Sequence, residues 1–167
     1  MDIVRAGKAL YVGISRWPLE ATRFAAKYLK ERDVPLLIYQ GKLNMLDREP
    51  QEEGILDFCA EEGIGFISFS PLAQGLLTDR YLNGIPQDSR MSKGKFLRED
   101  MLTPELLKKL RHYNEVAQNR GETLAEMALS WILHQKGVTS VLVGASSTTQ
   151  LEKNLRCVNA TPFDEDL

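Results

Sequence analysis

Four short apolar runs, each followed by a helical pattern, constrain this chain more than any other feature. They are Leu10-Tyr-Val-Gly-Ile14, Leu36-Leu-Ile-Tyr39, Ile64-Gly-Phe-Ile-Ser-Phe69 and Val138 to Val143. None shows the apolar–polar alternation of a strand with one wet face, so each reads as a strand covered on both faces. Strand and helix alternate four times, which is the pattern of a parallel sheet covered by helices. Pro18 opens the first helix, with an apolar stripe through Leu19, Phe24-Ala25-Ala26 and Leu29, and Asp33-Val-Pro35 stops it. Gln40 to Arg48 reads as a polar loop, and Gly54 to Gly63 as a second helix ended by its glycine. After the third run come Ser70-Pro-Leu-Ala-Gln-Gly-Leu-Leu77 and a long loop from Asp79 to about Asp100. Thr103-Pro104-Glu105 caps a helix to about Asn119. Another starts at Thr123 or Leu124 and breaks at Gly137, and the last runs from about Thr148 to Val158.

A chain of 167 residues and 18.9 kDa is one domain's worth, long enough for a real core. Its formal net charge of −2 implies no basic face, which argues against nucleic acid or an anionic membrane as main partner. No apolar run has the length of a membrane span, and the N-terminal residues lack signal-peptide architecture. Cys59 and Cys157 lie far apart without metal-ligand spacing, so buried free thiols in a reducing cytoplasm are expected.

The unusual residues follow the strands. Val138 to Val143 leads into Gly144-Ala-Ser146-Ser-Thr-Thr, where small residues and hydroxyls open a helix. A helix N-terminus carries unpaired N–H groups and favours an anion, so this turn fits a phosphate cradle; on local pattern alone an ordinary Ser/Thr-capped turn is the favoured reading, since many capped helices bind nothing. Ser15-Arg16-Trp17, Gln40 to Asn44 and Ser70 to Leu77 occupy the corresponding places after the other strands. Doubly wound sheets and barrels both place function at these carboxyl ends. No G-x-G-x-x-G follows a strand, which counts against a dinucleotide-binding doubly wound sheet.

These strand-end motifs carry a resemblance. Gly13-Ile-Ser15-Arg16-Trp17, Gln40 with Asn44, Ser70-Pro71-Leu72-Ala73-Gln74-Gly75-Leu76-Leu77, Gly84-Ile85-Pro86 with Ser89-Arg90, and Gly144-Ala145-Ser146 with Gln150 and Asn154 follow family order and spacing. From about residue 7 to residue 158 the chain resembles the C-terminal half of an aldo-keto reductase. The likeness is to the branch of bacterial aldo-keto reductases and voltage-gated potassium channel β subunits. The resemblance implies an α/β fold, half of a (β/α)8 TIM barrel whose four parallel strands are the family's fifth to eighth. Residues 1–167 would form one partial domain, with residues 1–7 as the tail of the preceding helix. It implies NADP(H) as cofactor and a small aldehyde or ketone as substrate. Ser15 and Gln40 match residues that hold the nicotinamide carboxamide, and Arg16 matches a neighbouring contact. Ser70, Pro71, Leu72, Ala73 and Gln74 resemble the segment along ribose and pyrophosphate. Arg80 (a lysine in the branch) and Arg90 suit phosphates. Gly144, Ser146, Gln150 and Asn154 resemble the pocket for the adenosine 2′-phosphate and adenine. Lys153 replaces a frequent glutamate there, and Gly41, Lys42 and Leu43 depart from the usual residues beside Gln40.

The family's proton-donating Tyr, with its Lys, Asp and His, belongs to the first four strands, and no such constellation can be assembled from this sequence by spacing. Tyr39 is expected on the opposite side of its strand from Gln40. His134 is expected to serve a helix C-terminus. General acid catalysis is typically worth ~10²–10⁴-fold, so little carbonyl reduction is expected of the chain alone. Three readings follow: a fragment of a reductase (truncated, one half of a split gene, or an incomplete sequence), a nucleotide-binding regulatory module, or a non-functional remnant. A half barrel is expected to expose two edges and an apolar inner face, and so to self-associate or pair with an N-terminal half.

Overall fold

The computed structural model describes residues 1–87, 99–160 and 162–163. A one-turn helix α1 (Asp2–Arg5) precedes strand β1 (Val12–Ser15), helix α2 (Leu19–Lys30) and strand β2 (Leu36–Lys42). Next come α3 (Glu49–Glu52), α4 (Ile55–Glu62) and β3 (Gly65–Phe69), then short 3-10 turns at Ala73–Gly75, Asp79–Tyr81 and Glu99–Met101. The chain continues through α5 (Pro104–Asn119), α6 (Leu124–Leu133), β4 (Val138–Val141) and α7 (Thr148–Leu155), with a last turn at Arg156–Asn159.

The strands form one parallel sheet in the order β1-β2-β3-β4. Each strand lies beside its predecessor and the order never reverses. A doubly wound sheet reverses at its switch point; a barrel does not. One face is covered: α2 packs on β2, α4 on β3 and α6 on β4. Against these helices lies the row Ile14, Tyr39, Phe66 and Val138, paired across all four strands. Tyr39 and Phe66 are buried and stacked, with ring centroids 5.7 Å apart. The core extends from them through Leu43, Ile55, Leu77, Leu110, Met127 and Ile132.

The other face is open. It carries Gly13, Ser15 and Ser140, all exposed, with Ile38, Gln40, Ile67 and Phe69 half-buried among them. The expected apolar inner face is therefore mixed, its small and polar residues concentrated on the two edge strands.

Local chemistry explains the boundaries. Thr103 caps α5 by accepting from Leu106 N–H at 3.2 Å. Thr123 and Glu126 form a reciprocal capping box at α6, with bonds of 2.7 and 3.2 Å. Gly63 ends α4 with a left-handed φ of 69°. Several boundaries differ from expectation: α6 ends at Leu133, short of Gly137, the fourth strand at Val141 rather than Val143, and the last helix at Leu155 rather than about Val158. The first strand starts at Val12, leaving Leu10 and Tyr11 exposed ahead of it. The second runs three residues past Tyr39, because Gln40, Gly41 and Lys42 pair with Ile67, Ser68 and Phe69. Gly41 permits this: a Cβ there would sit 2.7 Å from the Phe66 ring. The short α3 falls in the stretch between the expected polar loop and the second helix, with the buried Pro50 in its first turn.

Gly41→Ala should destabilise the fold by about 1–3 kcal/mol through overpacking against Phe66. Gly137→Ala should cost more, since its φ is +91° and the added Cβ would meet the Leu56 carbonyl oxygen at 2.6 Å. Urea midpoints at neutral pH rank the two; equal midpoints for both variants and the parent would refute the packing account.

Candidate functional site

The register of β1 and β2 places Ser15 directly opposite Gln40 on the open face of the sheet. Two residues separated by twenty-five positions in sequence thus become cross-strand neighbours at the carboxyl end. Arg16 follows in a left-handed conformation, φ 58°, its N–H donating to the Gln40 carbonyl at 3.1 Å. Tyr39 points the other way, into the helix layer, where its hydroxyl donates to the Trp17 carbonyl at 2.8 Å. That bond ties the β1–α2 loop to the core.

After β3 the backbone is strained. Ser70, Ala73 and Gln74 have φ of 52°, 47° and 63°. Each left-handed non-glycine residue costs about 1 kcal/mol, so such a cluster persists only where the surroundings fix it. Asn44 fixes it: fully buried, it donates from Nδ2 to the Ser70 carbonyl at 3.1 Å and accepts from Leu46 N–H at 2.9 Å. Ser68 adds a second tie, its hydroxyl donating to the Leu43 carbonyl at 2.7 Å while its own carbonyl accepts from Leu142 N–H at 2.8 Å. The sequence motif contains Asn44, but its clamping role was invisible without the fold. Ser68 was missed as well; a lone serine in an apolar strand, needing a hydrogen-bond partner once buried, was the available signal.

A cavity of about 300 Å³ opens beside this turn. Its walls bring together Ser70, Pro71, Leu72, Gln74 and Arg80 from the β3 side with Leu142, Val143 and Gly144 from the end of β4. Thr78 lines it too, and shapes the Arg80 turn by accepting from Arg80 N–H at 3.2 Å. A second cavity of about 410 Å³ lies on the other side of the same turn, between Lys42, Asn44, Ala73, Leu106 and Lys109, again sharing Ser70 and Gln74.

The remaining expected residues stand apart from that groove. Arg16 lines a separate hollow of about 130 Å³ with Trp17, Lys42, Glu49 and Glu53. Ser15 and Gln40 sit on the open sheet face. At α7, Ser146 and Gln150 are engaged with each other: Gln150 Oε1 accepts from Ser146 N–H at 2.8 Å and from its hydroxyl at 3.0 Å. Ser147 caps the helix, accepting from Gln150 N–H at 3.2 Å. Asn154 is 4% exposed and its Nδ2 has no hydrogen-bond partner, an orphaned buried donor in the last turn of α7. Arg90 lies outside the described residues, as does Ser89.

The sequence and the fold both match known proteins. The family model described as the aldo/keto reductase family matches residues 1–167. The chain belongs to that family. It is 51% identical over 164 residues to the L-glyceraldehyde 3-phosphate reductase of Escherichia coli K12, covering 96% of this chain and 47% of that protein. It is 50% identical over 167 residues to the protein of the same name in Escherichia coli O157:H7, covering 98% of this chain and 48% of that one. The chain thus spans about half the length of the curated relatives it matches. A crystal structure of a thermostable aldo-keto reductase with the inhibitor epalrestat superimposes with a TM-score of 0.68 at 24% identity, covering 98% of this chain and 48% of that one. The α/β fold with four parallel strands is therefore that of an aldo-keto reductase barrel fragment.

Other titratable residues have structural roles. His134 caps α6, with Nδ1 2.8 Å from the Ser130 carbonyl, and meets the Phe163 ring edge-on. Cys59 and Cys157 are free and buried. Among the described residues no cluster of His, Cys, Asp and Glu has metal-binding geometry, and no helix is long and apolar enough to cross a membrane.

Burial, reinforced by the charges of Cys59, Glu53 and Glu49, pushes the Tyr39 hydroxyl from 10.0 up to about 12. Burial pushes the Cys59 thiol from 9.0 up to about 11. Both groups hold their protons longer when folded, so their stabilisation is complete below pH 9 and is lost as pH rises, over 9–11 for Cys59 and 10–12 for Tyr39. Urea midpoints taken upward from pH 8 should decline, and Tyr39→Phe should flatten the part above pH 10. A parent profile flat to pH 11 contradicts this. Asn44→Ala should destabilise by about 1–3 kcal/mol, because it removes the tie to the Ser70 carbonyl and leaves the Leu46 N–H unpaired. Hydrogen exchange should quicken at residues 70–77 and stay unchanged in α5; a uniform loss of protection would remove the clamp role.

Proposed function

We propose that this chain is the cofactor-binding half of an NADPH-dependent aldo-keto reductase, its strands corresponding to the fifth to eighth of the family barrel. Residues 1–167 act as one partial domain. Ser15, Gln40 and Arg16 hold the nicotinamide end. Ser70 to Gln74 and Arg80 hold the ribose and pyrophosphate. Gly144, Ser146, Gln150, Asn154 and Arg90 hold the adenosine end. The assembled enzyme acts on small aldehydes or ketones, in keeping with relatives named for reducing L-glyceraldehyde 3-phosphate. The Tyr, Lys, Asp and His that deliver the proton are not supplied by these residues.

The groove beside the strained Ser70–Gln74 turn carries this reading. Its residues fit an extended dinucleotide. Gly144 leaves open space where a Cβ would stand, so a ligand can approach backbone. Arg80 adds a cation to the wall. The orphaned Asn154 Nδ2 is a buried donor suited to a purine nitrogen. When bound, NADPH supplies the hydride for a carbonyl carbon. The chain's own residues bind and orient: Ser15 and Gln40, side by side on the open face, suit an amide, and Arg80 and the start of α7 suit phosphates. An anion at Ser146 must displace the Gln150 side chain that now accepts both of its donors.

Calorimetric titration tests this. NADPH should bind the isolated chain, more weakly as salt rises because charge contributes. Arg80→Ala should weaken it roughly tenfold, the worth of one charge-assisted contact. NADPH oxidation with a small aldehyde should be absent for the chain alone and appear when the N-terminal half of a full-length relative is added. Absence of binding up to millimolar NADPH overturns the cofactor role. Binding without turnover in the complemented complex points instead to a nucleotide-sensing module.

A further inference from the structure

The larger of the two cavities beside the Ser70–Gln74 turn, about 410 Å³, lies across the turn from the nucleotide groove and takes no part in the cofactor reading. Its walls are held independently of any ligand. On one side residues 42–47 close on themselves. Asn44 N–H donates to the Asp47 carbonyl at 2.9 Å, Asp47 N–H returns to the Asn44 carbonyl at 3.1 Å, and Lys42 Nζ pairs with the Asp47 carboxylate at 2.6 Å. On the other side stand Leu106 and Lys109 of α5, a helix fixed by its Thr103 cap and by the fully buried Leu110. Ala73, with Ser70 and Gln74, closes the space between them. The lining is mostly apolar, from Leu46, Leu76, Met101 and Leu106. Apolar groups facing unfilled space forgo the dispersion contacts of a packed core. The polar groups among them are donors. Asn44 is fully buried, and its Nδ2 carries two N–H groups but makes one bond, to the Ser70 carbonyl. Lys42 and Asp47 offset one another, so the net charge of the lining is the Lys109 ammonium, which lies 5.5 Å over the Tyr113 ring.

We propose that this cavity binds a small organic anion with an apolar body, an aryl or medium-chain carboxylate. The body lies against Leu46, Leu76, Leu106 and Met101. Lys109 pairs with the charge, and the unused Asn44 N–H supplies a buried donor for the polar end. Pockets for small ligands span roughly 300–1,000 Å³ and combine an apolar lining with a few placed polar groups, which is the character of this one. Charge sets the sign of the ligand. A cation with the same body would face the Lys109 ammonium and find the carboxylate of Asp47 already paired. Walls fixed by their own hydrogen bonds spare the ordering cost that binding usually carries. The ligand meets one side of the strained turn and a nucleotide would meet the other, so Ser70 and Gln74 act as a partition between two sites. The inference therefore stands apart from the cofactor reading.

Phenylbutyrate, phenylbutyramide and phenylbutylamine keep one body and change one charge. Each is titrated into the isotope-labelled chain without nucleotide, and backbone amide shifts are followed. The carboxylate should bind most tightly and move the signals of residues 42–47, 70–76 and Lys109. Lys109→Glu, at an exposed position, should weaken it roughly tenfold, the worth of one charge-assisted contact, and make the amine the better ligand, with circular dichroism unchanged. Met101→Asp, at a position 46% exposed, should weaken all three compounds by removing part of the apolar wall. No binding up to millimolar overturns the proposal, as does an amine that binds the parent as well as the carboxylate does. Indifference to Lys109→Glu overturns it too. Shifts confined to residues 78–80 and 142–144 place the carboxylate in the nucleotide groove and remove the second site. Failure of NADPH to bind leaves the result for phenylbutyrate untouched, and a chain that binds NADPH but not phenylbutyrate loses this site alone.

Discussion

The stack of Tyr39 on Phe66 beneath the helices is the contact on which the rest of the sheet depends. A strand's side chains alternate, so burying these two rings on one face sends their neighbours to the other. With Tyr39 inward, Gln40 turns outward; with Phe66 inward, Ile67 does the same. Gly41 then lies on the buried side and must lack a side chain, because the Phe66 ring occupies the place of its Cβ. A slip of β2 by one residue would bury Gln40 and expose the Tyr39 ring. The pairing of Ser15 with Gln40, on which the nicotinamide proposal rests, is thus a consequence of core packing two residues away.

The strained turn draws on the same frame. Ser70, the first of the left-handed residues, is tied through its carbonyl to Asn44 just past β2, and Ser68 of β3 ties that same segment at the Leu43 carbonyl. A few kcal/mol of backbone strain is tolerable there because a fully buried asparagine has no better partner for its amide than the Ser70 carbonyl. Strain on an exposed tip would relax. Here it shapes a wall with a cavity on each side, so the turn's conformation decides the form of both hollows.

Much of this was readable from residues. The unalternating apolar runs identify buried parallel strands, and Thr103, Thr123 and Gly63 mark helix ends that the structure keeps, whereas α6 stops at Leu133, ahead of the Gly137 that the sequence suggests. The order of motifs points to the family. What was not readable is tertiary. Gln40 looked like the start of a loop because a polar amide beside glycine and lysine lacks strand character; pairing with β3 overrides that preference. Leu10 and Tyr11 looked like strand and are exposed, since β1 has a neighbour on one side only. At Ser146 and Gln150, composition suggests donors waiting for an anion, whereas the side chains satisfy one another. Local hydrogen bonds between residues four apart compete with any ligand, and only coordinates reveal that competition.

The two ends of the groove accordingly differ in stiffness. The Ser70 turn is bolted to the central strands by a buried asparagine, whereas α7 rests on α6 through one side, with Asn154 and Cys157 inward and Leu151, Leu155 and Val158 outward. A helix of two turns held on one face has few contacts to oppose its motion, and such elements open at low free energy. Whatever covers the outward stripe would add contacts on the second face and fix the orientation of Asn154 and Gln150.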